Sequence, residues 1–546
     1  MKLIKNLGVA LDLGTSGLRG QAIDLDTGQI IKTVITARHP LPGANVMDHL
    51  TYTIEVGLDS AHHILIDAIN QVLTALGDIG PNVVRLAVCG NPIQLSLFEG
   101  IEIRDLAYAG KRKKQAMGII EPNRDGKLLS ARDIEGLNLP ATAEVVIPPA
   151  VEHEIGADAL AMMLKSGMLE REEIALVTDY GTNAEMALKV RGQIITGSCA
   201  AGPALEGQHI GSGMLAGPGA ISDLNPNGKH YAVSVLDSAM LTETVVETDL
   251  LTGITQRLTT GSIKGITGTG VISLIDLALN NGYVKLPGIK TEDHLLHLTD
   301  KVSFSERDLG EAGKAIGAIR AGYIALCKAA GIEVDQIEVA YMAGASGTYV
   351  DALKAQRLGL VPPTVKKIYQ IGNTSLALAR DLVFKPQELE DLKKLALSLR
   401  ATHCMFGDYE PFSQAYLLEL SYWDEGMPRD LYVRFCRNYG LSPLPKFTKE
   451  AEVLKWHERD IPDLGAEGLM VIEKVGLERR HAFSGCTGCG ICTSPCLEEA
   501  LSLESDQGEN VLVLRLDLCN GTACLKCVRA CPEKVFNFAA IGFHII

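Results

Sequence analysis

Short apolar runs that close at or beside glycine punctuate the first 385 or so residues. LGVALDLG (7–14), VVRLAVCG (83–90), EIALVTDYG (173–181) and IEVAYMAGA (337–345) have the length and composition of buried strands. ALAMMLKSG (159–167) and RAGYIALCKAAG (320–331) follow a helical period and also stop at glycine. Strands alternating with helices predict an α/β architecture. Much of the chain's glycine, 55 residues in all, follows strand ends, where α/β folds bind ligands.

The pattern changes after residue 385. PQELEDLKKLALSLR (386–400) reads as a capped helix, and residues 401–427 as a segment that packs on something larger. Residues 431–480 mix proline with both signs of charge and read as a connector. Both tryptophans, Trp423 and Trp456, fall in the 386–480 stretch. A tail of about 65 residues follows. The expected organisation is a large α/β domain over 1–430, its halves dividing near 175, a connector over 431–480, and a small domain over 481–546.

Composition narrows the possible roles. Of 546 residues, 47% are apolar and 21% charged, enough for a large core and unlike a disordered chain. The net charge of −15 opposes phosphate backbones and anionic membranes, so neither nucleic acid nor membrane is an expected partner. MKLIKNLGVALDLGTSG enters a strand at once, without a secretion signal, and no stretch reaches the ~18 apolar residues of a membrane span. A cytoplasmic protein is expected.

The thirteen cysteines are unevenly placed. Cys89, Cys199, Cys327, Cys404 and Cys436 are scattered and read as small buried hydrophobes. The other eight form two runs, Cys486-x2-Cys489-x2-Cys492-x3-Cys496 and Cys519-x4-Cys524-x2-Cys527-x3-Cys531, the second followed by Pro532. Thiolates at two-residue gaps let one loop wrap three corners of an iron-sulfur cube. In two-cluster ferredoxins the fourth cysteine of each run serves the other cluster. The expected sets for two [4Fe-4S] clusters are Cys486, Cys489, Cys492 with Cys531, and Cys519, Cys524, Cys527 with Cys496. Gly485, Gly488 and Gly490 would let backbone amides approach the cluster sulfurs. Zinc usually takes four ligands in wider-spaced pairs, and disulfides suit an oxidising compartment.

The large domain holds three glycine turns. Asp12-x-Gly14-Thr15-Ser16 closes one strand, and Asp179-x-Gly181-Thr182-Asn183 repeats the arrangement. Each offers backbone and hydroxyl donors to phosphate oxygens and a carboxylate suited to Mg²⁺, directly or through water. The third, Gly344-Ala345-Ser346-Gly347, would let backbone lie close to a nucleoside. Any one of these is more often a plain tight turn. Three in this order point to a duplicated nucleotide-binding fold.

The DxGT turn, the DxGTN turn and the late glycine loop resemble the ATPases of the actin, Hsp70 and sugar-kinase superfamily, a ribonuclease H-like fold. VCGNPIQ (88–94), residues 197–221, GITGTGVI (265–272), residues 313–332 and IGNTSLA (371–377) are similar to the reductive activators of corrinoid proteins. The cysteine-rich C-terminal module resembles the arrangement in activators that serve methylamine methyltransferases of methanogenic archaea. The resemblance implies a duplicated ATPase domain fused to an α+β two-cluster ferredoxin-like domain. It implies ATP-dependent reduction of corrinoid Co(II) to Co(I), with ATP and Mg²⁺, two [4Fe-4S] clusters, a low-potential electron donor, and corrinoid proteins as partners. Carried over by position, Asp12, Gly14, Thr15 and Ser16 form the first phosphate loop, Asp179, Gly181, Thr182 and Asn183 the second, and Gly344 to Gly347 the adenosine loop. Asp12 and Asp179 are the expected catalytic carboxylates, while Arg19 and Glu185 nearby read as structural. Eight tail cysteines in one chain argue for a monomer over a dimer that shares one cluster. Other readings of the same residues are an ATP-coupled donor to a different metalloenzyme, and a nucleotide-sensing ferredoxin scaffold without catalysis.

Overall fold

The computed structural model of the chain describes residues 6–43, 45–77, 82–108, 110–151, 155–181, 183–199, 209–237, 240–259, 263–457, 464–465, 468–496, 498–506 and 508–543. The chain divides into two compact units: Met1–Ala157 with Leu378–Lys394 and Asp463–Ile546, and Asp158–Ala377 with Leu395–Pro462.

The first unit is built on β1 (Leu7–Leu13), β2 (Leu18–Asp24), β3 (Ile30–Thr36), α1 (Val46–Val56), α2 (Leu58–Ala75), β4 (Val83–Gly90), α3 (Pro92–Glu99), β5 (Lys127–Ser130) and β6 (Glu144–Ile147). Every residue of β1 is buried. That is why it reads as one apolar run: a strand covered on both faces has no polar side to show. β1, β2 and β3 form an antiparallel meander, and β4 joins β1 in parallel. β6 adds to β4 in parallel, β5 pairs antiparallel with β6, and Leu469–Ile472 closes the other edge beside β3. Helix α2 buries Ala61, Leu65, Ala68, Ile69 and Val72, a stripe at three- and four-residue spacing.

The second unit repeats this frame. β7 (Ala175–Tyr180), β8 (Ala184–Val190) and β9 (Gln193–Cys199) form the same meander, and Val339–Ala343 joins β7 in parallel. Lys367–Gly372 and Glu452–Lys455 extend the sheet. The registers match across the duplication: Asp12 pairs with Cys89 and Asp179 with Ala343, so Gly90 and Gly344 occupy equivalent places.

The second unit also holds a sheet that the apolar runs do not announce. Its strands are Ala220–Asn227, His230–Leu236, Thr242–Asp249, Gly253–Arg257 and Gly265–Ile266. The helix Glu306–Ala330 carries a Ser305/Asp308 capping box and ends at Gly331 with φ of 66°. The segment expected to pack does so. In helix Glu410–Asp424, Trp423 and Glu419 press so closely on Gly313 and Gly317 that a Cβ at either glycine would lie 2.8 Å from them. Arg320 and Glu419 form a buried pair at 3.0 Å, and Tyr432 donates to Glu419 at 2.6 Å. Removing one member of such a pair costs about 3–5 kcal/mol.

Residues 431–480, expected as a connector, carry most of helix Arg429–Asn438 and the edge strands Glu452–Lys455 and Leu469–Ile472. The tail builds an antiparallel sheet of Glu478–Ala482, Glu509–Arg515 and Leu501–Asp506, with the long strand in the middle. It belongs to the first unit, where α1 packs on the turn Gly521–Ala523 and the helix Phe538–Phe543. Among the described residues no helix is long and apolar enough to cross a membrane.

Candidate functional site

The first glycine turn links β1 to β2. A Cβ on Gly14 would lie 2.9 Å from the Gly17 carbonyl oxygen, so the turn closes on itself with no room for a side chain. The backbone N–H of Leu18 donates to Thr36 Oγ1 at 2.8 Å, which fixes the turn against β3. Asp12 is buried, and Arg19, its partner across β1 and β2, sits with Nη1 3.6 Å from Asp12 Oδ2. Thr15 Oγ1 accepts from Asn91 Nδ2 at 3.2 Å. Asn91 caps α3, its Oδ1 accepting from the amides of Ile93 and Gln94, and Pro92 sits at the first helical position. Asn91 is assigned no role from the sequence, although VCGNPIQ carries its signal: an Asn-Pro pair, an N-cap motif directly after a strand.

The second turn has a different chemistry. The Gly181 amide donates to the Asn183 carbonyl at 3.2 Å. Thr182 lies outside the described residues. Asp179 faces Glu185 across β7 and β8. Burial, followed by the charges of Asp158 and Asp179, holds the Glu185 carboxyl well above the usual carboxylate range. Ser198 Oγ donates to Glu185 Oε1 at 3.3 Å. Two further carboxylates so close favour the protonated form of Glu185.

The third loop meets the second turn. Gly344, with φ of 82°, lies so near Asp179 that a Cβ there would be 2.3 Å from Oδ1. Gly347 approaches the Tyr180 ring. The loop opens the short helix Gly344–Tyr349, which includes Ala345 and Ser346. Buried Gln370 donates to the carbonyls of Gly347 at 2.8 Å and Val350 at 2.9 Å and so pins the loop from below. The second unit thus brings Asp179, Gly181, Asn183 and the third loop together, and the first unit assembles Asp12, Gly14, Thr15 and Ser16.

The eight tail cysteines divide into two cavities. Cys486, Cys489, Cys492 and Cys531 line one, together with Phe483 and Phe536. Cys496, Cys519, Cys524 and Cys527 line the other, together with Leu514 and Phe538. Each cavity takes three cysteines from one run and the last of the other. Among the described residues no group of His, Cys, Asp or Glu is arranged to hold a single metal ion. Gly485, Gly488 and Gly490 all have φ between 70° and 84°. The Gly521 amide donates to Cys519 Sγ at 3.3 Å. Burial pushes the Cys519 thiol up to about 12 and Cys527 up to about 11. Such thiols are poor thiolates until a metal displaces the proton. Burial also raises Cys531, but the amides of Phe536, Val535, Lys534 and Glu533 outweigh it and bring it below its ordinary value. Of the scattered cysteines, Cys89, Cys199, Cys327 and Cys436 are buried and Cys404 is partly exposed.

Two family models match this chain: the RACo middle region over residues 7–171, and the C-terminal ASKHA domain of RACo over residues 173–431. The [Co(II) methylated amine-specific corrinoid protein] reductase of Methanosarcina barkeri is 47% identical over 94% of this chain and 95% of its own length. The chain belongs to the RACo family of reductive activators of corrinoid proteins. The corrinoid activation enzyme RamQ of Eubacterium limosum is 23% identical over 77% of this chain and 71% of its own. Among solved structures, a reductive activator for corrinoid, iron-sulfur protein superposes with a TM-score of 0.63 at 22% identity, over 77% of this chain and 66% of that one. That likeness carries the fold: the duplicated sheets of RACo-type activators are the frame described above.

Proposed function

We propose that this chain returns the cobalt of corrinoid proteins serving methylamine methyltransferases from Co(II) to Co(I), using ATP and a low-potential electron donor. The observation that carries this reading is the pair of four-cysteine cavities on a chain whose two sheets each end in an Asp-x-Gly turn. The near full-length match to an amine-specific corrinoid protein reductase supports the substrate class.

The cavities fit two [4Fe-4S] clusters: four thiols around each, glycines with positive φ beside the first, and the Gly521 amide donating to Cys519 Sγ beside the second. Cys486, Cys489, Cys492 and Cys531 hold one, and Cys496, Cys519, Cys524 and Cys527 the other. When bound, the clusters supply one-electron transfer. Asp12 and Asp179 orient Mg²⁺ directly or through water, while Gly14, Thr15, Ser16, Gly181, Thr182 and Asn183 present donors to phosphate oxygens. The loop from Gly344 to Gly347, Ala345 and Ser346 included, lies along the nucleoside. The chain works in the cytoplasm as a monomer.

ATP is needed because the cobalt couple is low. In a one-electron step each 59 mV is tenfold, so a gap of about 240 mV holds the equilibrium back by ~10⁴, or about 5.5 kcal/mol. The test is reduction of a purified Co(II) corrinoid protein by the reconstituted chain, followed in the visible spectrum. Conversion to Co(I) is expected with donor and ATP together. Equal conversion without ATP overturns the coupling.

A further inference from the structure

A buried polar chain in the first unit runs from the phosphate turn to the second cysteine cavity. It begins where Asn91 Nδ2 donates to Thr15 Oγ1 at 3.2 Å. Asn91 caps α3, so a displacement of Thr15 must break that bond or move the first turn of the helix. Gln94 lies in that turn, with no exposure to solvent, and its amide bridges two histidines. Gln94 Oε1 lies 3.0 Å from His39 Nε2, and Gln94 Nε2 lies 2.8 Å from His49 Nδ1.

The Leu41 amide donates to His39 Nδ1 at 3.2 Å, so the His39 proton is on Nε2 and Gln94 Oε1 accepts it. Gln94 Nε2 therefore donates to His49, and both bonds depend on one amide orientation. The two imidazoles stack at 4.0 Å, and burial disfavours the charged form of each. Among the described residues His49 Nε2 has no partner, and Gln94 holds the ring by Nδ1.

The far end touches the cysteine loop. The backbone continues from His39 and Leu41 to Gly43, whose amide donates to the Cys519 carbonyl at 2.8 Å. A Cβ on Gly43 would lie 2.4 Å from Asp48 Cβ and 3.2 Å from the His49 ring, so this backbone is seated against α1 and the stacked pair. Cys519 lines the second cavity. Glu55 of α1 also hydrogen-bonds Thr522, three residues further on.

We propose that Asn91, Gln94, His39 and His49 form a positioning link that passes the state of the phosphate turn at Thr15 to the Cys519 loop. Nucleotide held at Thr15 changes the setting of the second cavity through this link. The inference rests on the proposed function, since it takes the turn as a phosphate site and the cavity as a cluster site.

Hydrogen exchange on the full-length, iron-sulfur-reconstituted chain tests it, with a non-hydrolysable ATP analogue and Mg²⁺ as the probe. In the wild type, nucleotide should slow exchange across residues 12–18 and also, by at least about threefold, across 516–527. Gln94→Leu should keep the response at 12–18 and lose the one at 516–527. Gln94→Glu should restore it, because a protonated carboxyl reproduces one acceptor and one donor. The midpoint potential of one cluster should depend on nucleotide in the wild type and in Gln94→Glu, but not in Gln94→Leu. If Gln94→Leu does not fold, His39→Phe, which keeps the stacked ring and drops its nitrogens, carries the same test. A response at 516–527 that persists in the Leu variant overturns the link, as does its absence in a wild type protected at 12–18. A wild type unprotected at 12–18 overturns the proposed function as well.

Discussion

The two Asp-x-Gly turns sit at equivalent points of a duplicated frame and face opposite chemistry. Asp12 has a guanidinium across the strand pair, and Asp179 has a carboxyl. Beside the first turn, the residue after the equivalent glycine is Asn91, wired inward through α3. Beside the second, the equivalent glycine itself presses on Asp179 and opens the third loop. The frame was duplicated and the chemistry was not. The first turn already has a cation and a buried polar scaffold. The second sets Asp179 across from a carboxyl that burial and neighbouring charge push toward its protonated form.

The comparison breaks most easily at the aspartates, and the largest effect is expected there. Asp179→Asn should lower ATP turnover by about 10²–10³-fold, on the scale of losing one preorganised electrostatic contact. Asp12→Asn should also lower it, while the Mg²⁺ dependence of the residual rate shifts more in Asp179→Asn. The iron-sulfur absorbance should be unchanged in both. Equal Mg²⁺ dependence in the two variants would remove the asymmetry.

A smaller effect separates the equivalent glycines. Gly344 has φ of 82° and no room for a Cβ beside Asp179 Oδ1. A Cβ on Gly90 would lie 2.7 Å from the Leu13 carbonyl oxygen and 3.2 Å from Leu13 Cβ, but Gly90 has no positive φ to lose. Gly344→Ala should therefore cost about 1–3 kcal/mol of strain and weaken nucleotide binding roughly tenfold. Gly90→Ala should weaken it less. Nucleotide titration of the two variants checks the order.

These contrasts also explain what could be read from sequence. The strands leading into both turns were legible because burial on two faces makes them mostly apolar, as in β1 and β7. The sheet over 220–257 was not, because Thr242–Asp249, TETVVETD, exposes three of its first residues and carries too few apolar positions to mark a strand. Glu452–Lys455 and Leu469–Ile472 are four-residue edge strands that exist through partners far away in sequence, and no local pattern announces such pairing. At the site, the cysteine runs were legible because spacing alone limits how thiols can gather. Glu185 was set aside as structural, since one carboxylate on a strand says nothing about which charges its neighbours bring. Asn91 needed the fold to place α3 beside the first turn.

The smallest and most diagnostic effect lies in the groups opposite the aspartates. Glu185 has its pKa raised in the folded chain, so above about 4.5 the unfolded chain ionises this group while the folded chain keeps its proton. Stability contributed here is present at low pH and lost as pH rises toward the raised value. Glu185→Gln cannot ionise. It should match the wild type at pH 4.5 and be more stable at pH 8, by about 1.4 kcal/mol for each unit of upward displacement crossed. Because the group is buried, salt should change this difference little. Adding Mg²⁺ should flatten the wild-type slope, since a cation favours the ionised form. Arg19→Ala is the matching change at the first turn. Arg19 is partly exposed and its contact with Asp12 is 3.6 Å, so solvent screening limits the loss to about 0.2–1 kcal/mol, fading as salt is added. Chemical unfolding at two pH values and two salt concentrations reads both arms at once. Parallel pH profiles for Glu185→Gln and the wild type would mean that the carboxylates of the second turn are not coupled, and the contrast between the turns would then rest on Gly344 and Asn91 alone.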